Sequence, residues 1–409
     1  MQDKALYEKI LDLQEPWKVK EVKLDRQACE IVVEVECSAT LWGCPQCSRR
    51  MTIHDWETRR WRHLDSCQYK TILQSKVPLV TCPEHGTITV AVPWAEKYGR
   101  FTKLFERLAI DVMLECSIAG ACDILRISWD QADGIKQRAV TRGLERKPKK
   151  VPQRMCVDEK SAGRGQNYMT IVASLEGAKT CVEYVGQGRG QESLDAYWKQ
   201  FGVEELAMVE AVAMDMWQPF IDSTLAFVPE AKDRITHDPY HLVAHMNEAV
   251  NKVRQAEHRE LSEQGDPSLS GTRMLWLYGQ ENIPPQRQAE FDQIKFVNFR
   301  TSRAWMLKEV FRNLWLCENR TKGENYFARW YSWAIRSRLE PVKRVARMCR
   351  KRLDQILNYF DHKITNGPIE GLNNKIQGLI KKAYGYRNPK RFVTDIFFHC
   401  GGLNLDPVQ

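Results

Sequence analysis

From residue 154 the chain reads as short apolar runs that stop at acids, and this pattern constrains the fold more than any other feature. "RMCVDEK" (154–160) is short enough for a buried strand and carries Asp158 near its end. "NYMTIVASLEG" (167–177) and "KTCVEYVGQG" (179–188) follow as strands, separated by turns that contain glycine. "QESLDAYWKQFG" (191–202) is helical, and "VEAVAMDMW" (209–217) is a further strand that runs into Asp215. "QPFIDSTLAFVP" (218–229) reads as a helix, "AKDRITHD" (231–238) as a strand and "YHLVAHMNEAVNKVRQAEHREL" (240–261) as a helix.

Three meandering strands followed by helix, strand, helix and strand is the order of an RNase H-like α/β core. In that order the first and fourth strands are neighbours, about 4.8 Å apart, so Asp158 and Asp215 are expected side by side. Two carboxylates there, with a third from a later helix, can hold two Mg2+ (or Mn2+) ions. Such a pair activates a nucleophile and stabilises the leaving oxygen of a phosphodiester. Glu159 adjoins Asp158, but strand alternation points it to the opposite face. Asp238 ends the next strand and competes with Asp215; the strand order favours Asp215 as the second acid. Asp238 and His241 are then active-site neighbours, with His241 either orienting DNA, assisting proton transfer or serving structure.

The third acid is sought in "NGPIEGLNNKIQGLIKKAYGYRNPKRF" (366–392). Gly367 can cap a helix there, and Pro368 suits its first position. Ile369, Leu372, Ile376, Leu379, Ile380 and Ala383 recur at helical spacing and form one apolar stripe. Glu370 falls in the first turn beside that stripe, where the helix N-terminus favours its ionised form. It is either a capping glutamate or a cation ligand on a rigid element. Lys381, Lys382, Arg387, Lys390 and Arg391 follow and suit DNA phosphates.

The N-terminal part is organised differently. Residues 21–95 alternate like short strands and hold "CPQC" (Cys44, Cys47) and "CPEH" (Cys82, His85). Two chelating pairs with two residues between ligands are the pattern of a zinc ribbon, one structural Zn2+ held by three thiolates and an imidazole. A thin core would make that ion necessary. His54 or His63 could replace His85. Residues 101–116, 117–125 and 129–142 parse as three helices, with Ser117 and Ser128 as N-caps. The short turn at Ile127–Ser128 has a helix-turn-helix layout. The third helix carries Gln131, Lys136, Gln137, Arg138 and Arg142, residue types that read bases or hold phosphates. "ERKPKKVPQR" (145–154) then reads as a linker.

Taken together, "VDEKS", "MDMWQPF", "HDPYHLVAHMNEAVNKVR" and the Glu370 segment, behind a zinc ribbon and a helix-turn-helix, resemble DDE transposases of the ISL-three family of bacterial insertion sequences. The resemblance spans nearly the whole chain. It implies a catalytic triad of Asp158, Asp215 and Glu370, binding to double-stranded terminal inverted repeats and to target DNA, and Mg2+-dependent cleavage and strand transfer by a homo-oligomer, a dimer on DNA. It also implies a helical insertion, since the stretch from Asp215 to Glu370 is too long for a bare core. One departure is Tyr240 before His241, where such proteins often have phenylalanine. The expected division is 1–95 (helix and ribbon), 96–148 (helix-turn-helix), 149–259 (core), 260–360 (insertion) and 361–409 (core, with Glu370). An inactive DNA-binding derivative and a stand-alone nuclease are the alternatives.

The insertion is expected to be helical, with breaks at Gly323 and Pro341, and it holds Trp276, Trp305, Trp315, Trp330 and Trp333. "EPVKRVARMCRKRLDQILNYFDHK" (340–363) reads as one basic amphipathic helix that offers Arg344, Arg347 and Arg350 to a phosphate backbone. Composition agrees without deciding. The chain has 409 residues, 43% hydrophobic residues and net charge +9, enough for real cores and compatible with nucleic acid. No apolar run reaches membrane-spanning length, and the N-terminus lacks a signal-peptide core. The thirteen cysteines are therefore read as reduced, in a bacterial cytoplasm.

Overall fold

The computed structural model describes residues 2–161, 168–177, 179–297, 299–365 and 367–407. Asn167 and Asn366, the first residues of two segments quoted above, lie outside the described residues. The chain forms two compact units, Met1–Pro148 with Phe397–Gln409, and Lys149–Ile396.

The first unit starts with α1 (Gln2–Ile10) and a six-stranded sheet: β1 (Trp17–Asp25), β2 (Glu30–Cys37), β3 (Leu41–Gly43), β4 (Arg50–Arg62), β5 (Lys70–Cys82) and β6 (Gly86–Thr89). The order is β1-β2-β5-β4-β3, with β6 also paired to β5. Long alternating strands leave one face to bury, and that face is filled by Trp17, Trp61, Trp94, Val33, Leu73 and Val77. Trp17 and Trp61 each meet Trp94 edge-on, with centroids 4.9 and 5.4 Å away. The sheet is thus better packed than the expected thin core.

Three helices follow, α2 (Lys103–Glu115), α3 (Ile118–Leu125) and α4 (Trp129–Arg146). The expected caps are present: Ser117 Oγ accepts from the Gly120 N–H and Ser128 Oγ from the Gln131 N–H. Arg126 takes a left-handed conformation (φ 56°) at the turn between α3 and α4. The C-terminal residues pack against α4. Gly143 is required there, because a Cβ would lie 2.7 Å from the Leu403 side chain. Residues from Phe397 onward therefore group with this unit, not with the Glu370 helix as expected.

The second unit is a five-stranded sheet, β7 (Arg154–Ser161), β8 (Tyr168–Ser174), β9 (Cys181–Gln187), β10 (Ala211–Met214) and β11 (Ile235–His237). Its order is β11-β10-β7-β8-β9. β7, β8 and β9 are antiparallel neighbours, whereas β10 runs parallel to both β7 and β11. Crossovers are made by α5 (Gln191–Trp198), α6 (Val203–Ala207), α7 (Gln218–Phe227) and α8 (Ala231–Arg234). The expected strand over 231–238 is thus half helix. Glu230 turns the chain at φ 53° and pairs with Arg234, which leaves only Ile-Thr-His for the sheet.

A helical series completes the unit: α9 (Pro239–Glu263), α10 (Arg273–Leu277), α11 (Pro285–Lys295), α12 (Arg300–Arg312), α13 (Arg320–Arg336), α14 (Glu340–Lys351), α15 (Leu353–Leu357), α16 (Tyr359–His362), α17 (Gly367–Lys382) and the start of α18 (Pro389–Cys400), whose residues from Phe397 belong to the first unit. Helices α9 to α16 share one apolar cluster that includes Trp276, Phe291, Trp305, Phe311 and Trp330. Trp333 is exposed. Two expectations change here. Gly323 does not break a helix but lies inside α13, where a Cβ would meet the Phe360 ring at 2.5 Å. The segment 340–363 is three helices, not one. Its buried Asn358 donates to the carbonyls of Lys232 and Ile235, 2.8 Å each, and so ties this end of the series to the sheet.

Candidate metal centres and nucleic-acid interface

The register of the parallel strands creates the site. Val157 pairs with Met214 and Met214 with His237, and each of these three residues is followed by an aspartate. Asp158, Asp215 and Asp238 therefore form a row along one edge of the sheet, with Asp215 in the middle. The strands run parallel and all three acids follow their aligned positions, so the row faces the crevice beyond the carboxyl ends of β10 and β11, where ligands of open α/β sheets bind. The sequence posed Asp215 and Asp238 as rivals; the sheet places them next to each other.

Two helices bring further groups. Asp238 is the N-cap residue of α9, and His241 lies in its first turn. Glu370 lies in the first turn of α17, whose Ile369, Leu372, Ile376 and Leu379 are buried as the stripe required. One ligand atom from each of Asp238, His241 and Glu370 lies within 4.8 Å of the others. One turn along α17, Asn373 Nδ2 donates to Asp158 Oδ2 at 2.6 Å. Glu370 thus meets Asp238 and His241 most directly, and its helix reaches Asp158 through Asn373.

Electrostatics in this row are unfavourable without a cation. Burial pushes the Asp158 carboxyl up to about 6, and the neighbouring Asp215 charge adds to that; the Glu159 N–H and Asn373 oppose it. Asp215 accepts the Trp217 N–H at 2.8 Å. Crowded carboxylates, with Asp158 already biased towards protonation, match what a hard divalent cation requires. The donor set fits.

Sequence reasoning missed the support beneath Asp215. The Arg189 guanidinium lies over the Tyr168 ring at 4.1 Å and over the Trp217 ring at 4.9 Å, and it pairs with Glu159 at 3.2 Å. Trp217 Nε1 in turn donates to the Arg189 carbonyl at 2.8 Å. Glu159 faces this clamp, away from the acid row, as alternation implied. No local pattern pointed to Arg189, because its partners come from three separate elements.

The second centre lies in the first unit. Cys44 and Cys47 sit in the turn between β3 and β4, Cys82 ends β5, and His85 lies in the turn that leads to β6. Cys44 Sγ lies 3.9 Å from His85 Nδ1, Cys47 Sγ 3.7 Å from Cys82 Sγ, and Cys82 Sγ 3.4 Å from His85 Nδ1. Zn–S bonds of about 2.3 Å in a tetrahedron put ligands about 3.7 Å apart, so the four fit zinc. The Cys82 thiol is pulled down to about 6, first by the Glu84 N–H and then by His85, which favours the thiolate that zinc binds. His63 is not a ligand. It is buried, bonded to Thr102 Oγ1 at 2.9 Å, and burial lowers it to about 4. Among the described residues none of the thirteen cysteines forms a disulfide.

The expected DNA-reading face of α4 needs correction. Lys136 is 5% and Arg142 8% exposed. The Lys136 ammonium lies over the Phe398 ring, and Arg142 donates to the Leu405 carbonyl and pairs with Glu96. Arg138 pairs with buried Glu106, Gln137 donates to Asp133, and Gln131 closes the capping box with Ser128. Phe398 and Leu405 thus cover Lys136 and Arg142, whereas Gln131 and Gln137 stay exposed. By contrast, Arg344, Arg347 and Arg350 are exposed on α14 opposite buried Val342, Val345 and Cys349. Lys381, Lys382, Arg387 and Lys390 are exposed, and Arg391 is partly so.

Comparison with known proteins finds three family matches along the chain. A transposase family model of the ISL3 type matches residues 155–396, a helix-turn-helix domain of transposase family ISL3 matches 90–140, and a zinc finger of the transposases of IS204, IS1001, IS1096 and IS1165 matches 40–85. The chain is 27% identical over 384 residues to the transposase for insertion sequence element IS1557 of Mycobacterium tuberculosis, covering 87% of this chain and 85% of that protein. It is 23% identical over 365 residues to the transposase for insertion sequence element IS1001 of Bordetella parapertussis, covering 88% and 89%. None of the helices in the described residues is long and apolar enough to cross a membrane. With more than half of its length matched by the catalytic-region model and both N-terminal modules in place, the chain belongs to the ISL3 family of transposases.

Proposed function

We propose that this chain is an active DNA transposase that binds the terminal inverted repeats of an insertion sequence and cuts and joins DNA with Mg2+ or Mn2+. The observation that carries the reading is the row of aspartates in register on three neighbouring strands, met by the Glu370 helix, with Asn373 reaching Asp158. The sheet order supports an RNase H-like core over 149–259 and 361–396. Residues 260–360 are its helical insertion, and 1–95 and 96–148 are the ribbon and the helix-turn-helix. Asp158, Asp215 and Glu370 are the catalytic acids.

When bound, the divalent ions supply charge stabilisation for the attacking and leaving oxygens. The chain's own residues orient those ions and the DNA. The Asn373 amide and the Glu159 N–H fix the Asp158 carboxylate, and the Trp217 N–H fixes that of Asp215. Water first hydrolyses the phosphodiester at an element end and frees a 3′-hydroxyl. That hydroxyl then attacks a target phosphodiester and displaces the target's own 3′-oxygen. Exposed Arg344, Arg347, Arg350, Lys381, Lys382, Arg387 and Lys390 hold the DNA backbone. The acting form is a homodimer on DNA, in the bacterial cytoplasm.

Purified protein with a labelled element end and Mg2+ tests this. Asp158→Ala, Asp215→Ala and Glu370→Ala are each expected to reduce cleavage and joining to background while end binding persists. Full activity in any one of them removes that residue from the triad. Absence of cleavage in the wild type with binding intact returns the chain to a DNA-binding role.

A further inference from the structure

The triad alone leaves two groups of the acid row unexplained. Asp238 is 3% exposed, and carboxylates are seldom buried so deeply unless they are paired, hydrogen-bonded or bound to a cation. His241 makes an edge contact with the Tyr240 ring at 5.7 Å and no side-chain hydrogen bond to any described residue. The Asp-Pro-Tyr-His spacing sets the N-cap and the third helical residue of α9 on one side of its first turn. Both point a ligand atom at Glu370 within the same 4.8 Å. Two carboxylates that close repel by about 1 kcal/mol in water and by about 4 kcal/mol at the effective dielectric of a protein surface. A divalent cation turns that repulsion into coordination.

The other nearby imidazoles are unsuited to the role. His237 is buried and uses both ring nitrogens, Nδ1 towards the Met214 carbonyl and Nε2 towards Gln355 Oε1. His245 lies one turn further along α9 and outside the convergent set. His241 is thus the imidazole that the fold brings to the acids.

We propose that Asp238, His241 and Glu370 hold one divalent cation, a mixed oxygen–nitrogen position next to the one that Asp158 and Asp215 supply. This rests on the catalytic reading above and enlarges its ligand set from three residues to five. An imidazole ligand gives the position a chemical preference. Mg2+ favours oxygen donors, whereas first-row transition ions accept imidazole nitrogen readily. The Asp238–His241–Glu370 position therefore selects Mn2+ over Mg2+ more strongly than an all-carboxylate position does.

The test uses the full-length, zinc-loaded protein titrated with Mn2+ without DNA, followed by electron paramagnetic resonance. Wild type is expected to bind two Mn2+ per chain, one of them showing the nitrogen-14 modulation of a directly bound imidazole in pulsed spectra. His241→Gln should abolish that modulation and weaken one Mn2+ by about tenfold or more. Asp238→Asn should weaken the same ion, and His245→Gln should change neither readout. Thermal melting and zinc content confirm that each variant is folded. Wild-type Mn2+ without nitrogen coupling, or coupling that survives His241→Gln, overturns the proposal. So does a wild type that binds no Mn2+. None of these readouts depends on DNA cleavage, so a chain that cleaves DNA yet lacks nitrogen coupling keeps the transposase reading and loses this one. A chain that shows the coupling but never cleaves does the reverse.

Discussion

Cys44, Cys47, Cys82 and His85 sit at two hairpin turns of one sheet, whereas Asp158, Asp215, Asp238, His241 and Glu370 come from the middle of β7, the ends of two neighbouring strands and the first turns of two helices. The first set is complete within one small region, and its geometry already suits the ion. The second set crowds carboxylates into a partly buried row; burial holds Asp158 well above its ordinary range. One cluster adds to the stability of its fold. The other reduces it, and its fold must tolerate the strain. On the function proposed above, the contrast is between a structural centre and a chemical one, and it can be attacked from both sides.

The largest expected effect is on the zinc side. Structural zinc in small domains supplies roughly 10–16 kcal/mol of apparent folding free energy. Here the tryptophan-packed face of the sheet remains after zinc is lost, so the damage should be confined. Chelation, or Cys82→Ser, should remove hydrogen-exchange protection from the β3–β4 and β5–β6 turns and lower the melting temperature of the first unit, while β7 to β11 stay protected. Equal protection with and without zinc would mean that the four ligands only happen to lie together.

A smaller effect in the same unit separates His63 from the zinc ligands. Its folded value of about 4 is below its ordinary 6.5, so between those values the unfolded chain binds more protons. Stability is then complete above pH 6.5 and is lost as pH falls towards 4, by up to about 3 kcal/mol. Melting curves across this window, with the His63 ring followed by NMR, measure it. A ring that titrates near 6.5 in the folded protein contradicts the burial argument.

On the acid side the sign reverses. Asp158 is an acid whose folded value, about 6, is above its ordinary 3.8. The folded state holds the proton more tightly, so stability falls as pH rises through 4 to 6, and the penalty is complete at pH 7. In protein that holds zinc but no other divalent ion, Asp158→Asn should therefore raise the stability of the second unit at pH 7 by about 1–2 kcal/mol and give no gain below pH 4. The asparagine can still accept from Asn373. A loss of stability at pH 7 would show that the acid row is structural, and the comparison with the zinc cluster would fail.

What the sequence disclosed follows the range of the forces involved. The grouping of Cys44, Cys47, Cys82 and His85, the caps Ser117 and Ser128 and the stripe of α17 were legible because spacing along the chain determines them. Lys136 and Arg142 were misread because Phe398 and Leu405, more than 250 residues away, decide which face of α4 is covered. Gly323 looked like a helix break, but the reason for it is the Phe360 ring packed on its Cα. The row of Asp158, Asp215 and Asp238 depends on the register of three strands, which periodicity does not specify. Arg189 could not be found at all, since a cation held between Tyr168 and Trp217 has no signature in its own neighbourhood.

The smallest effect concerns the charges that remain open to solvent. On α14, Val342, Val345, Ala346 and Cys349 are buried, so Arg344, Arg347 and Arg350 have to face outward. Arg347 pairs with Glu340 at 2.9 Å, and Arg344 lies 4.0 Å from the same carboxylate. Exposed pairs of this kind contribute little to folding, about 0–1 kcal/mol. Replacing all three arginines with alanine should therefore leave the melting temperature nearly unchanged. If they hold phosphates, the slope of log affinity for an element end against log salt should become shallower by up to roughly 3, because each phosphate contact contributes about 0.9. The partial pairing with Glu340 predicts less than that full value, since an arginine already neutralised in the free protein gains less from DNA. Lys381, Lys382, Arg387 and Lys390, which have no such shared partner among the described residues, should show the full slope per residue. A triple variant with unchanged slope and unchanged cleavage would assign α14 to a solvated face and leave the outlet of the Glu370 helix as the backbone contact.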